Sequence, residues 1–70
     1  MTDIKALIGA IKRTGKTMTF VAKESGIERA TLYNRFKGIG EFTASEISGL
    51  SKCLNLSSAE RDSIFFSQEV

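Results

Sequence analysis

Between Met18 and Gly38 the chain has few ways to fold. Ala22 stands four residues before Gly26, Ile27 follows, and Leu32 and Phe36 come next at helical spacing. A small residue lets two helix backbones approach, and glycine turns the chain at positive φ with little penalty. The pattern predicts two short helices joined by a tight turn. Ile27 plugs the corner, while Leu32 and Phe36 hold the second helix to the body. That arrangement is a helix-turn-helix.

The flanking segments also read as helices. Helix 1 is expected from Asp3 to Arg13, capped by Thr2 or Asp3, with Ile4, Leu7, Ile8 and Ile11 on one face and Thr14-Gly15-Lys16 ending it. Helix 2 begins near Thr17 to Thr19, carries Val21 and Ala22 inward and stops at Gly26. Helix 3 is expected from Glu28 to Lys37, with Gly38 as its stop.

Thr43 followed by Glu46 forms a capping box, and Phe42 with Ile47 forms a hydrophobic staple. This starts a fourth helix that turns Ile47, Leu50 and Leu54 to the core and ends at Asn55, a residue that tolerates the left-handed conformation. Ser57 with Glu60 repeats the box and starts a fifth helix, running to about Ser67. No segment alternates as a half-buried strand would, and there is no proline. The fold class predicted is all-α: one compact domain of five helices over residues 1–70, with helices 2 and 3 as the helix-turn-helix.

Composition excludes several functions. There is no histidine and Cys53 is the only cysteine, so an intramolecular disulfide is impossible and a Cys/His metal site lacks ligands. No metal, cofactor or catalytic residue is expected: a histidine base is missing, the acids read as caps, and Cys53 beside Leu54 reads as packing. The lone thiol fits a reducing, cytoplasmic setting. The first eleven residues carry Asp3 and Lys5 within their apolar pattern, so neither a signal peptide nor a membrane span is expected.

Charge is segregated. Residues 1–37 hold eight Lys and Arg against three acids, a net +5, and residues 38–70 hold two against five, a net −3. One face suited to a polyanion and one turned away from it are expected.

Val21-Ala22, Gly26-Ile27, Leu32, Phe36-Lys37-Gly38 and the run from Leu50 to Ser57 resemble, in order and spacing, the lambda-repressor-like helix-turn-helix family of phage repressors, Cro proteins and their bacterial relatives. The likeness spans nearly the whole chain. It implies sequence-specific binding to a double-stranded DNA operator, with helix 3 in the major groove. Two positions depart from the family. Met18 stands where relatives often carry glutamine at the start of helix 2, and Glu28 replaces the usual small cap before helix 3.

Successive helical side chains turn by about 100°. With Leu32 and Phe36 inward, Ala30 and Asn34 lie nearly opposite, Lys37 is close by, and Thr31 and Tyr33 flank that face. The resemblance puts base reading at Arg29, Ala30 and Asn34, with Tyr33 beside them. Arg29 can make a bidentate pair with guanine and Asn34 with adenine, while Ala30 offers a methyl contact. Phosphate contacts are expected from Lys16, Lys23, Arg35 and Lys37, from the hydroxyls of Thr17, Thr19 and Thr31, and from free N–H groups at the start of helix 2.

Phe65 and Phe66 are adjacent and cannot both face one core. They are the expected dimer contact, through whichever ring is spare, as in relatives whose fifth helix pairs two subunits. A homodimer would set its reading helices about 34 Å apart. The expectation is a transcriptional regulator of the Cro or short-repressor kind, acting by occupancy with no small-molecule effector and no membrane partner. The alternative is a module of the same fold that binds a protein, such as an antirepressor, an antitoxin-like subunit or a phage inhibitor.

Overall fold

The computed structural model describes residues 1–67. Within them the chain forms five helices and no strand: α1 (Ile4–Thr14), α2 (Met18–Ser25), α3 (Arg29–Phe36), α4 (Ala44–Cys53) and α5 (Ser58–Phe65). Four of the five begin on a side-chain cap. Asp3 accepts from the Ala6 N–H at 3.0 Å and Thr17 from the Phe20 N–H at 3.1 Å. Thr43 with Glu46 and Ser57 with Glu60 both form complete capping boxes. Each such cap satisfies an N–H that the helix itself leaves unpaired. At the start of α3, Glu28 makes no side-chain cap bond.

Three helices end in the same way, on one left-handed residue. Gly26 (φ 75°), Gly38 (φ 84°) and Asn55 (φ 54°) turn the chain, and the next N–H reaches back to the carbonyl five residues before it. Those bonds are Ile27 to Ala22 (2.9 Å), Ile39 to Asn34 (2.9 Å) and Leu56 to Ser51 (2.9 Å). The Ala22 and Asn34 carbonyls also take the Gly26 and Lys37 N–H groups, while the Ser51 carbonyl is paired by the Leu56 bond.

The helix boundaries differ from the sequence expectation by one or two residues. Asp3 and Glu28 sit outside their helices as caps, α4 stops at Cys53 and α5 stops at Phe65. In α1 the buried residues are Leu7, Ala10 and Ile11, while Ile4 and Ile8 are half-buried. The stripe is therefore rotated toward Ala10, which lines a cleft with Ala59, Ser63 and Ile64 of α5.

One core draws on every helix. Leu7, Val21, Leu32 and Leu50, from the first four helices, are its fully enclosed larger side chains, and Ile64 and Phe65 close it from α5. Phe42 packs edge-on to Phe65, with centroids 5.5 Å apart, and Ile47 lies partly buried against the core beside it. The most extensive contact is between α2 and α4. There Gly49 lets the α2 backbone come close, since a Cβ at that position would fall 2.3 Å from the Ser25 carbonyl oxygen. The chain start is fastened to α5 by the Asp3 N–H, which donates to the Ile64 carbonyl at 2.7 Å. No described helix is long and apolar enough to cross a membrane.

Candidate functional site

Helix α3 is seated on one side only. Leu32 is its single buried residue, and half-buried Phe36 continues the seat one turn on. Tyr33 braces Phe36 edge-on, with centroids 6.1 Å apart and planes at 86°. The opposite side carries Arg29, Ala30, Tyr33, Asn34 and Lys37, all exposed, with Thr31 half-buried at its flank. The azimuths expected from Leu32 and Phe36 are therefore those found. Glu28, Arg29, Ala30 and Tyr33 line a shallow, open depression at the leading end of this face.

The guanidinium of Arg29 is not free to sweep. Its Nη1 donates to Thr19 Oγ1 at 3.0 Å, across the turn from α3 to the first turn of α2. Adjacent Glu28 forms no ion pair with it. The sequence gives no sign of this bond. Thr19 and Arg29 are ten residues apart, and only the reversal at Gly26 brings them together.

Two of the expected phosphate ligands are engaged inside the protein. Lys16 Nζ donates to Glu24 Oε1 at 2.9 Å and to the Cys53 carbonyl at 2.8 Å, and it sits 5.5 Å from the centre of the Phe20 ring. It ties the α1–α2 link to α2 and to the end of α4. The hydrogen bond to Glu24 raises the Lys16 pKa, so the ammonium is held charged there. Arg35 is the second correction. Its Nη1 donates to the Ile39 carbonyl at 3.3 Å and its Nε lies 3.5 Å from Glu46 Oε1, a contact without hydrogen-bond geometry. Both of these side chains are largely enclosed, at 18 % and 17 % exposure. Arg35 points to the core edge and clamps the α3–α4 loop to the start of α4, so it leaves the phosphate set.

Of the remaining phosphate candidates, Thr31 is half-buried and the others stay at the surface. Lys23 and Lys37 are exposed and form no ion pair with a described residue. Thr17 and Thr19 are exposed on the first turn of α2, where Thr17 Oγ1 already accepts the capping bond and keeps its proton to donate. The two phenylalanines divide cleanly. Phe65 is buried at 3 % exposure and cannot be a dimer contact, because its ring fills the core against Phe42. Phe66 is 57 % exposed, beside a groove lined by Ala44, Ile47, Ser48 and Arg61. Cys53 is buried, and that burial raises its thiol pKa, which suits packing.

Comparison with protein-family models, with curated proteins and with solved structures found no match.

Proposed function

We propose that this chain is a sequence-specific double-stranded DNA-binding transcriptional regulator of the phage Cro or short-repressor kind, with α2 and α3 as its helix-turn-helix. One observation carries the reading: α3 stands on Leu32 and presents Arg29, Ala30, Tyr33 and Asn34 together on its outward side. Eight residues make a rod about 12 Å long, comparable to the width of the B-DNA major groove. Arg29 reads guanine, Asn34 reads adenine, and Ala30 leaves the backbone close to the base edges. Lys23, Lys37, Thr17, Thr19 and the free N–H groups at the start of α2 supply phosphate contacts on either side. Phe66 is the remaining candidate for pairing two copies on a palindromic operator.

Selection from random duplexes with the purified chain tests this. A preferred sequence is expected, and Arg29→Ala and Asn34→Ala each remove the preference at one base position, with a loss of about 1–3 kcal/mol of discrimination. Salt titration separates the cations. Lys23→Met and Lys37→Met are each expected to flatten the slope of log affinity against log salt by about 0.9. Lys16→Met is expected to leave that slope unchanged, because its charge is already matched by Glu24.

A second reading, a module of the same fold that binds a protein, draws support from Phe20 and Tyr33, exposed at 47 % and 43 %, and from Glu28 at the leading end of α3. Selection that enriches no sequence at any salt concentration supports that reading instead.

A further inference from the structure

We propose that Thr19 is a positioning residue for base recognition: it holds the Arg29 guanidinium in a guanine-reading pose and ties that pose to a phosphate. The inference rests on the DNA reading above. Its basis is the 3.0 Å bond from Arg29 Nη1 to Thr19 Oγ1, made between two exposed side chains on different helices. An arginine at the exposed first turn of a helix has many rotamers, and each must be given up on binding. The tether selects one set of them before DNA arrives, which is how a supporting contact sharpens a reading contact.

The donor count fits. Arg29 spends one N–H on Thr19, and its Nε–Nη2 edge keeps two parallel N–H groups, the pair that matches guanine O6 and N7. A threonine hydroxyl has two lone pairs and one proton. Accepting from Arg29 therefore leaves its O–H free to donate to a phosphate oxygen. Thr19 lies in the first turn of α2, where the helix dipole and unpaired N–H groups favour an anion. One hydroxyl thus couples the position of the backbone to the base being read. Met18, the residue before it, is half-buried against the core and takes no part.

The test measures affinity for the selected operator and for its three variants at the guanine read by Arg29, at a single salt concentration. Thr19→Val keeps the side-chain shape and removes the hydroxyl. The preference for guanine is expected to fall about three- to tenfold, the range for the net contribution of one ordinary hydrogen bond. Thr19→Ser is expected to restore it, and Thr19→Val added to Arg29→Ala is expected to change the preference no further. If Thr19→Val weakens all four duplexes equally, the hydroxyl serves only a phosphate and the proposal is overturned. A wild-type chain that selects no sequence overturns the DNA reading itself, and this inference with it.

Discussion

Gly49→Ala is expected to destabilise the protein by about 2 kcal/mol, while Gly9→Ala stabilises it by roughly 0.5–1 kcal/mol. Both glycines are inside helices, and alanine is the better helix former by about 1 kcal/mol at either site. The difference lies in what the new methyl meets. At Gly9 nothing lies within 4 Å, so the propensity gain stands alone. At Gly49 the Cβ would fall 2.3 Å from the Ser25 carbonyl oxygen and 3.1 Å from its carbon. That obstacle is backbone, which cannot rotate aside, and the contact joins the most extensively packed pair of helices. Overpacking a core costs about 1–3 kcal/mol with flexible neighbours, so a backbone obstacle belongs at or above the top of that range and outweighs the gain. Urea denaturation of the two variants beside the wild type checks the opposite signs. A Gly49→Ala protein as stable as Gly9→Ala would mean that α2 and α4 do not cross so closely.

Leu32→Ala is expected to cost about 3 kcal/mol, within the usual span for removing a fully enclosed leucine. For a domain of this size the total stability is about 4–10 kcal/mol, so the loss is a large fraction of it. Leu32 is the only buried residue of α3 and is completely enclosed. Its removal leaves that helix held by half-buried Phe36 and by the turns at its ends. Amide exchange should therefore rise first in α3, and, on the DNA reading proposed above, affinity for a selected duplex should fall more than global stability alone explains. Asn34→Ala, on the exposed side of the same helix, should change stability by less than about 0.5 kcal/mol. A Leu32→Ala protein within 1 kcal/mol of the wild type would show that α3 is anchored elsewhere.

Those two sites also show what could be read from the residues alone. The seat of α3 was legible because Leu32 and Phe36 share an azimuth, and with it came the outward placement of Ala30 and Asn34. Helix starts were legible because Thr43 with Glu46 and Ser57 with Glu60 are local pairs whose partners lie three residues apart. Contacts across the chain were not legible. Lys16 looks like a free cation until the fold brings Glu24 and the Cys53 carbonyl to its ammonium, the latter from 37 residues away. Arg35 already leans toward the core edge by its azimuth, but its partners, the Ile39 carbonyl and Glu46, meet it only once the loop after α3 folds back. Phe65 and Phe66 posed a choice between two neighbours, and only the packing of α5 on the core, with Phe42 against Phe65, decides which ring is enclosed. In each case sequence spacing gives a side chain's direction on its own helix, whereas its partner is set by how the helices meet.

The bond from Asp3 to the Ile64 carbonyl has a consequence for how the protein is made. The amide that precedes the first helix is satisfied by a residue near the end of the last, so the first four helices alone cannot complete the core when they leave the ribosome. Until Ile64 and Phe65 have been synthesised, the apolar side of α1 faces water on its α5 flank. Folding of these five helices to their finished state therefore waits until α5 is free to pack on α1.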